Sequence, residues 1–136
     1  MIGLDTNVLV RLVVQDDPEQ TLAAKQLIER AERRGEALYV SLIVMCEFSW
    51  VLKRAYGLSR DALCFVIQQL LATDSVFEDR DLLKRALARF AHGRADLADY
   101  LIQGSAASAG ARTVATFDRR AASEPGFQPV LTALVD

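Results

Sequence analysis

MIGLDTNVLV, residues 1–10, sets how the rest of the chain is read. Residues 2–5 have the apolar character of a short strand, and apolar residues resume from Val8 in the pattern of a helix over 7–15. Between them stand Asp5, Thr6 and Asn7. A surface turn would ordinarily use Gly or Pro, and this one uses neither. Asp5 is therefore placed either to cap the helix or to form one wall of a site at the end of a strand.

Working outward, strands and helices alternate. Asp17-Pro18-Glu19 opens a second helix through about Arg33, with proline in the first turn and acids around it, and Gly35 ends it. ALYVS (37–41) reads as a strand, followed by a helix from about Leu42 to Tyr56 that stops at Gly57. Ser59 caps the next helix, to about Ala72, and SVFE (75–78) is a weak strand. Amphipathic helices follow over about 79–91 and 95–109, then the strand ARTVATF (111–117) and a last strand near 128–132. This order predicts an α/β fold with a mainly parallel sheet and helices on both faces, in one domain spanning residues 1–136. In such sheets ligands bind at the carboxyl ends of strands, where Asp5 and Asp118 fall.

Composition narrows the function classes. Of the 136 residues, 51% are hydrophobic and 25% charged, an ordinary soluble composition, and the net charge of −2 supplies no basic field for nucleic acid. Arg11 and Asp5 interrupt the apolar run at the N-terminus, so neither a signal peptide nor a membrane span is expected there. Cys46 and Cys64 form neither a disulfide framework nor a CxxC site and read as buried free thiols, which implies a reducing, cytoplasmic setting. GxxxxGK[ST] and GxGxxG are both absent, and His92 is the sole histidine, which excludes a histidine-rich zinc site and a Ser-His-Asp triad.

The acids carry the chemistry. Glu47, in LIVMCEFSWVL, has Ile43, Val44, Trp50 and Val51 as its helical neighbours and no Lys or Arg within a turn. A carboxylate in an apolar wall is costly to ionise without a cation. Asp96 and Asp99, in ADLADYLIQGSA, share one helix face; the first is easily a first-turn acid, and the second lies deeper. Asp118, in TVATFD, follows a strand and would cap a short helix at Arg119-Arg120. Each has a plain structural reading when taken alone. Together, carboxylates without histidine suit a hard cation such as Mg²⁺ or Mn²⁺.

These motifs, in this order and spacing over nearly the whole chain, resemble a PIN-domain ribonuclease, and more narrowly the toxin of a VapBC-type toxin–antitoxin pair. The resemblance implies a PIN-like three-layer sandwich with acids coordinating Mg²⁺ or Mn²⁺ at the rim of the sheet. Asp5, Glu47 and Asp99 match the near-invariant acids of the family motif, Asp118 the more variable fourth, and Asp96 an accessory acid. Thr6, Asn7 and Thr116 match polar positions that orient metal ligands or waters. It further implies hydrolysis of RNA phosphodiester bonds to 5′-phosphate and 3′-hydroxyl ends, a cognate antitoxin and a homodimer. RNA approaching an acidic rim would need local cations, for which Arg11, Lys53, Arg54, Arg112, Arg119 and Arg120 are the candidates. Phe48, Trp50, Phe65 and Leu70, on consecutive apolar helices, are candidates to line a groove for an antitoxin segment.

Two other readings compete. A PIN fold can serve only as a non-catalytic interaction module. A strand ending in Asp also opens haloacid-dehalogenase-like phosphatases; those usually carry a second Asp where this chain has Asn7, and a lysine before the late acidic motif, whereas none lies between Lys84 and Asp118.

Overall fold

Three short strands meet side by side because helical connections return the chain each time in the same direction. In the computed structural model, which describes residues 1–135, the chain falls into two compact units, Met1–Arg80 and a second that begins at Asp81. The last residue of the expected domain, Asp136, lies outside the described residues.

The first unit runs β1 (Ile2–Gly3), α1 (Thr6–Val14), α2 (Pro18–Arg34), β2 (Leu38–Val40), α3 (Leu42–Arg54), α4 (Arg60–Leu71) and β3 (Val76–Phe77). Its sheet has the order β1-β2-β3, all parallel, with Ile2 opposite Leu38 and Val40 opposite Phe77. Parallel neighbours need long crossovers, and the pairs α1–α2 and α3–α4 supply them. Local chemistry sets the helix limits. Asp17 caps α2 by accepting from the Gln20 N–H at 3.0 Å, Pro18 occupies its first turn, and Gly35 ends it at φ 62°. Ser41 and Ser59 cap α3 and α4 in the same way, each at 3.1 Å. The core gathers Leu9, Val40, Met45, Phe48, Leu52 and Ile67, all nearly or wholly buried, with α1 packed on both α2 and α3. Each such side chain contributes about 1.5–3 kcal/mol through burial alone.

Arg80 closes this unit. Its guanidinium donates to the carbonyls of Leu71 and Ser75 at 2.5 and 2.7 Å and lies 4.8 Å from the centre of the Phe77 ring. The turn between α4 and β3 is thereby tied to the edge of the sheet.

The second unit contains most of α5 (Arg80–His92), then α6 (Leu97–Ser108), β4 (Val114–Thr116), α7 (Arg119–Ala122), β5 (Phe127–Pro129) and α8 (Val130–Ala133). β4 and β5 pair in parallel, Val114 opposite Phe127 and Thr116 opposite Pro129. Arg89 is the hub here. It donates to Gln103 Oε1 and to the Pro125 carbonyl, both at 2.6 Å, and lies 4.8 Å from the centre of the buried Tyr100 ring. At Gly93, a Cβ would overlap the Tyr100 hydroxyl, so only glycine fits.

The mixed α/β class and parallel strands are as expected. Several boundaries differ. The strand expected over 2–5 holds only Ile2 and Gly3, because Asp5 is already the cap of α1. The strand over 111–117 is shortened to Val114–Thr116, the three residues that face β5. The helix expected to reach Tyr56 ends at Arg54, before Gly57 turns left-handed at φ 66°. The strand expected near 128–132 is β5 at 127–129; after Pro129 the chain turns into α8. The strands form two sheets, one of three strands and one of two, rather than a single sheet.

Candidate metal centre

Asp5 has extended backbone angles, φ −80° and ψ 160°, as a helix cap requires, and its Oδ1 accepts from the Thr6 N–H at 2.7 Å. The carboxylate is exposed. Thr6 is buried, and its hydroxyl donates to Glu47 Oε2 at 2.8 Å, across 41 residues of sequence. Thr6 therefore contacts both acids of the first unit, Asp5 through its backbone and Glu47 through its side chain. Asn7 is exposed on the first turn of α1.

Glu47 does not sit in an apolar wall. It is exposed, and so are Ile43 at 71% and Trp50 at 41%, its neighbours on the same face of α3. The buried face of this helix is Met45, Phe48, Ser49 and Leu52. Apolar spacing around Glu47 identified a face of the helix but not which face met the core. The desolvation expected of an apolar wall therefore does not arise at Glu47, which is exposed and accepts from the Thr6 hydroxyl.

In the second unit, Asp96 and Asp99 are half-buried at the start of α6. They form a capping box, in which Asp99 Oδ2 accepts from the Asp96 N–H at 3.0 Å. Their like charges are offset by helix N-terminal N–H groups. Asp118 is exposed and caps α7, its Oδ1 accepting from the Ala121 N–H at 2.9 Å. Its own N–H donates to Thr116 Oγ1 at 3.0 Å, which fixes the turn after β4.

Every one of these acids thus holds a backbone N–H or a neighbouring hydroxyl; the plain capping reading describes Asp5 and Asp118, whereas Asp96, expected within the first turn, is itself the cap because α6 begins at Leu97. Capping engages one carboxylate oxygen and does not preclude a ligand on the other. Among the described residues there is no group of three or more His, Cys, Asp and Glu that could hold a metal ion. The donor chemistry nevertheless fits a hard cation: all five candidates offer carboxylate oxygen, and Mg²⁺ commonly takes one or two carboxylates while keeping several waters. His92 is exposed at the last position of α5.

Other expected roles separate on burial. Arg11 is committed to structure: it donates to Gln20 Oε1 at 2.7 Å, Asp16 Oδ1 at 2.9 Å and the Tyr56 hydroxyl at 3.3 Å. The Tyr56 hydrogen bond, followed by Asp16, raises its pKa further above its ordinary value. Arg54 lies 5.9 Å from the centre of the Trp50 ring, and Lys53, Arg112, Arg119 and Arg120 are exposed. Phe48 is wholly buried and Leu70 half-buried, which leaves Trp50 and Phe65 as the exposed members of the apolar set. Both cysteines are free; Cys64 is buried, but Cys46 only half so, contrary to expectation. Phe117, beside Asp118, escapes the motif-based reading, although strand alternation from half-buried Val114 and Thr116 places it outward.

No helix among the described residues is long and apolar enough to cross a membrane. A comparison with curated proteins finds no match. The family model of the PIN domain matches residues 2–125, a stretch that includes all five acids and both structural units up to β5. The chain belongs to the PIN-domain family, whose members are generally nucleases that typically use divalent metal ions.

Proposed function

We propose that this chain is a Mg²⁺- or Mn²⁺-dependent endoribonuclease that acts, as one PIN domain, as the toxin of a toxin–antitoxin pair. The observation that carries this reading is the buried Thr6 hydroxyl fixing Glu47 while the Thr6 N–H fixes Asp5. A buried residue that holds two exposed carboxylates, one through its backbone N–H and one through its hydroxyl, gives them a preorganised geometry that ordinary surface acids lack. In this reading Asp5, Glu47, Asp99 and Asp118 are the catalytic acids and, with Asp96, the metal ligands, with Thr6, Asn7 and Thr116 in support.

Held by these carboxylates, a divalent ion would supply the positive charge that favours ionisation of a water and offsets charge on a scissile phosphate. The chain's own residues do the rest. Thr6 fixes one oxygen of Asp5 and one of Glu47, so their remaining lone pairs keep a constant direction. The capping box holds Asp99 against rotation, and Thr116 sets the turn that presents Asp118. The exposed cations Arg112, Arg119 and Arg120 offset repulsion between these acids and the RNA backbone. A cognate antitoxin would cover the exposed Trp50 and Phe65 on α3 and α4 and suppress cleavage. A homodimer in the cytoplasm, where the two free thiols stay reduced, completes the proposal.

The test is labelled total RNA incubated with the purified protein in Mg²⁺, in Mn²⁺ and in EDTA, beside Asp5→Asn. Metal-dependent cleavage that disappears in the variant is expected; cleavage that persists in EDTA would overturn it. One observation favours a second reading, a non-catalytic PIN-fold interaction module: among the described residues the acids form no group of three or more that could hold a metal ion. Calorimetry separates the two, since a module of that kind takes up neither ion.

A further inference from the structure

Phe117 is the most exposed large apolar side chain among the described residues, at 86%, whereas Phe48, Phe77 and Phe90 are buried at 0%, 7% and 3%. Its place is fixed from both sides. Thr116 before it is paired with Pro129 in the β4–β5 ladder. Asp118 after it donates its N–H to Thr116 Oγ1 at 3.0 Å and accepts from the Ala121 N–H at 2.9 Å. The aromatic ring is therefore carried on a rigid turn and left in water. Arg119 and Arg120, both exposed, follow immediately on α7.

An aromatic ring in water forgoes the burial that stabilises Phe48, Phe77 and Phe90, so burial gives no reason for a phenylalanine at this position. Every nucleobase presents a π-face, and single strands can splay a base onto such a ring, while bases in a duplex cannot leave their stack as readily. Two guanidinium groups within three residues provide the charge that the adjoining phosphates require.

From this juxtaposition we propose that Phe117 is a base-stacking residue for single-stranded RNA, with Arg119 and Arg120 holding the phosphates on either side of the stacked nucleotide. This rests on the ribonuclease reading and deepens it. Phe117 positions the strand beside Asp118 and is a substrate-binding residue, and the preference it creates is for unpaired RNA of any sequence. Little conformational entropy remains to be lost at this turn on binding, because Thr116 and Asp118 already hold it.

Fluorescence anisotropy with a labelled unstructured RNA strand and its matched duplex tests this, with Ca²⁺ in place of Mg²⁺. Wild type is expected to favour the single strand. Phe117→Ala and Phe117→Leu should weaken that binding roughly 5- to 150-fold, the span expected for removing one base stack, and Phe117→Trp should restore it. Arg119→Ala with Arg120→Ala should flatten the salt dependence, by roughly 0.7 in log–log slope for each phosphate no longer neutralised. Because Phe117 is exposed, circular dichroism should be the same for all variants. Phe117→Leu binding as tightly as wild type overturns the proposal, since an apolar side chain would then suffice. So does a Phe117→Ala variant that changes oligomeric state by light scattering and leaves RNA affinity intact, which would make the ring an interface between copies. A wild type that cleaves total RNA but does not favour the single strand overturns this inference alone. A wild type that neither binds nor cleaves overturns the ribonuclease reading with it.

Discussion

The Thr6 hydroxyl donates to Glu47 Oε2 at 2.8 Å and so joins the first turn of α1 to the middle of α3. Thr6 is 4% exposed, so its hydroxyl has no alternative partner in bulk water, whereas Glu47 is exposed and has one. That asymmetry makes Thr6 the residue to change. Thr6→Val keeps the shape and removes the donor. It should lower stability by only about 1 kcal/mol, because Glu47 can be rehydrated. Metal affinity should fall roughly 10- to 100-fold, the usual effect of losing a group that orients a ligand. Urea denaturation and calorimetry with Mn²⁺ read the two effects separately. Equal metal affinity in wild type and variant would remove Thr6 from the site.

The capping box allows structure and chemistry to be separated at Asp99. Asp99→Asn keeps an oxygen that can accept from the Asp96 N–H, so stability should stay within about 0.5 kcal/mol of wild type. Cleavage should fall by more than the roughly 10- to 100-fold typical of supporting residues, since a carboxylate ligand has become an amide. Asp96→Ala should do the reverse in emphasis: loss of an N-cap costs about 0.5–2 kcal/mol, with a smaller effect on rate. If Asp99→Asn cleaves as fast as wild type, Asp99 is a cap and nothing more.

Much of the first unit was legible because its signals are local. Asp17-Pro18, Gly35, Ser41 and Ser59 each act on backbone groups within a few residues, and the structure places helix limits where they stand. The environment of Glu47 was not legible. Helical periodicity groups Ile43, Glu47 and Trp50 on one face, but only packing decides that Met45 and Phe48 face inward instead. The limits of β4 were illegible for a similar reason: nothing within ARTVATF (111–117) marks an end, and the pairing covers only the three residues that face β5. Among the acids, the caps at Asp5 and Asp118 were legible, since a cap needs only its own turn, whereas a helix start set two residues too early hid the cap at Asp96. The hydrogen bond between Thr6 and Glu47 spans 41 residues, and no local rule reaches it.

Gly93 offers a test of the second unit that involves no candidate acid. A Cβ there would overlap the hydroxyl of Tyr100, a side chain only 1% exposed and engaged by Arg89 on its ring. Burial encloses Tyr100, and its hydroxyl accepts from the Ala95 N–H at 3.3 Å. Gly93→Ala should therefore destabilise by about 1–3 kcal/mol, as overpacking does. Arg89→Met, which removes the donors to Gln103 and Pro125, should cost a comparable amount. Thermal denaturation checks both, and an unchanged midpoint for Gly93→Ala would mean that Tyr100 is free to shift.

Alkaline pH should weaken the fold through two buried or half-buried acids. Burial, with a smaller contribution from Asp61, raises the Cys64 thiol above its ordinary value of 9.0. Burial and then Glu78 raise the Tyr39 phenol above 10.0. In both cases the unfolded chain loses its proton first, so it binds fewer protons than the native state once pH passes those ordinary values. Stability then falls as pH rises, and the contribution is fully present only below them. The midpoint of urea unfolding should be lower at a pH of about 9.5 than at about 7.5, and Cys64→Ala should reduce that difference. Cys46, half-buried, should react with a thiol reagent before Cys64 does in the native protein. Should Cys64→Ala leave the pH dependence unchanged, Tyr39 is the group that titrates, and Tyr39→Phe would then abolish the decline.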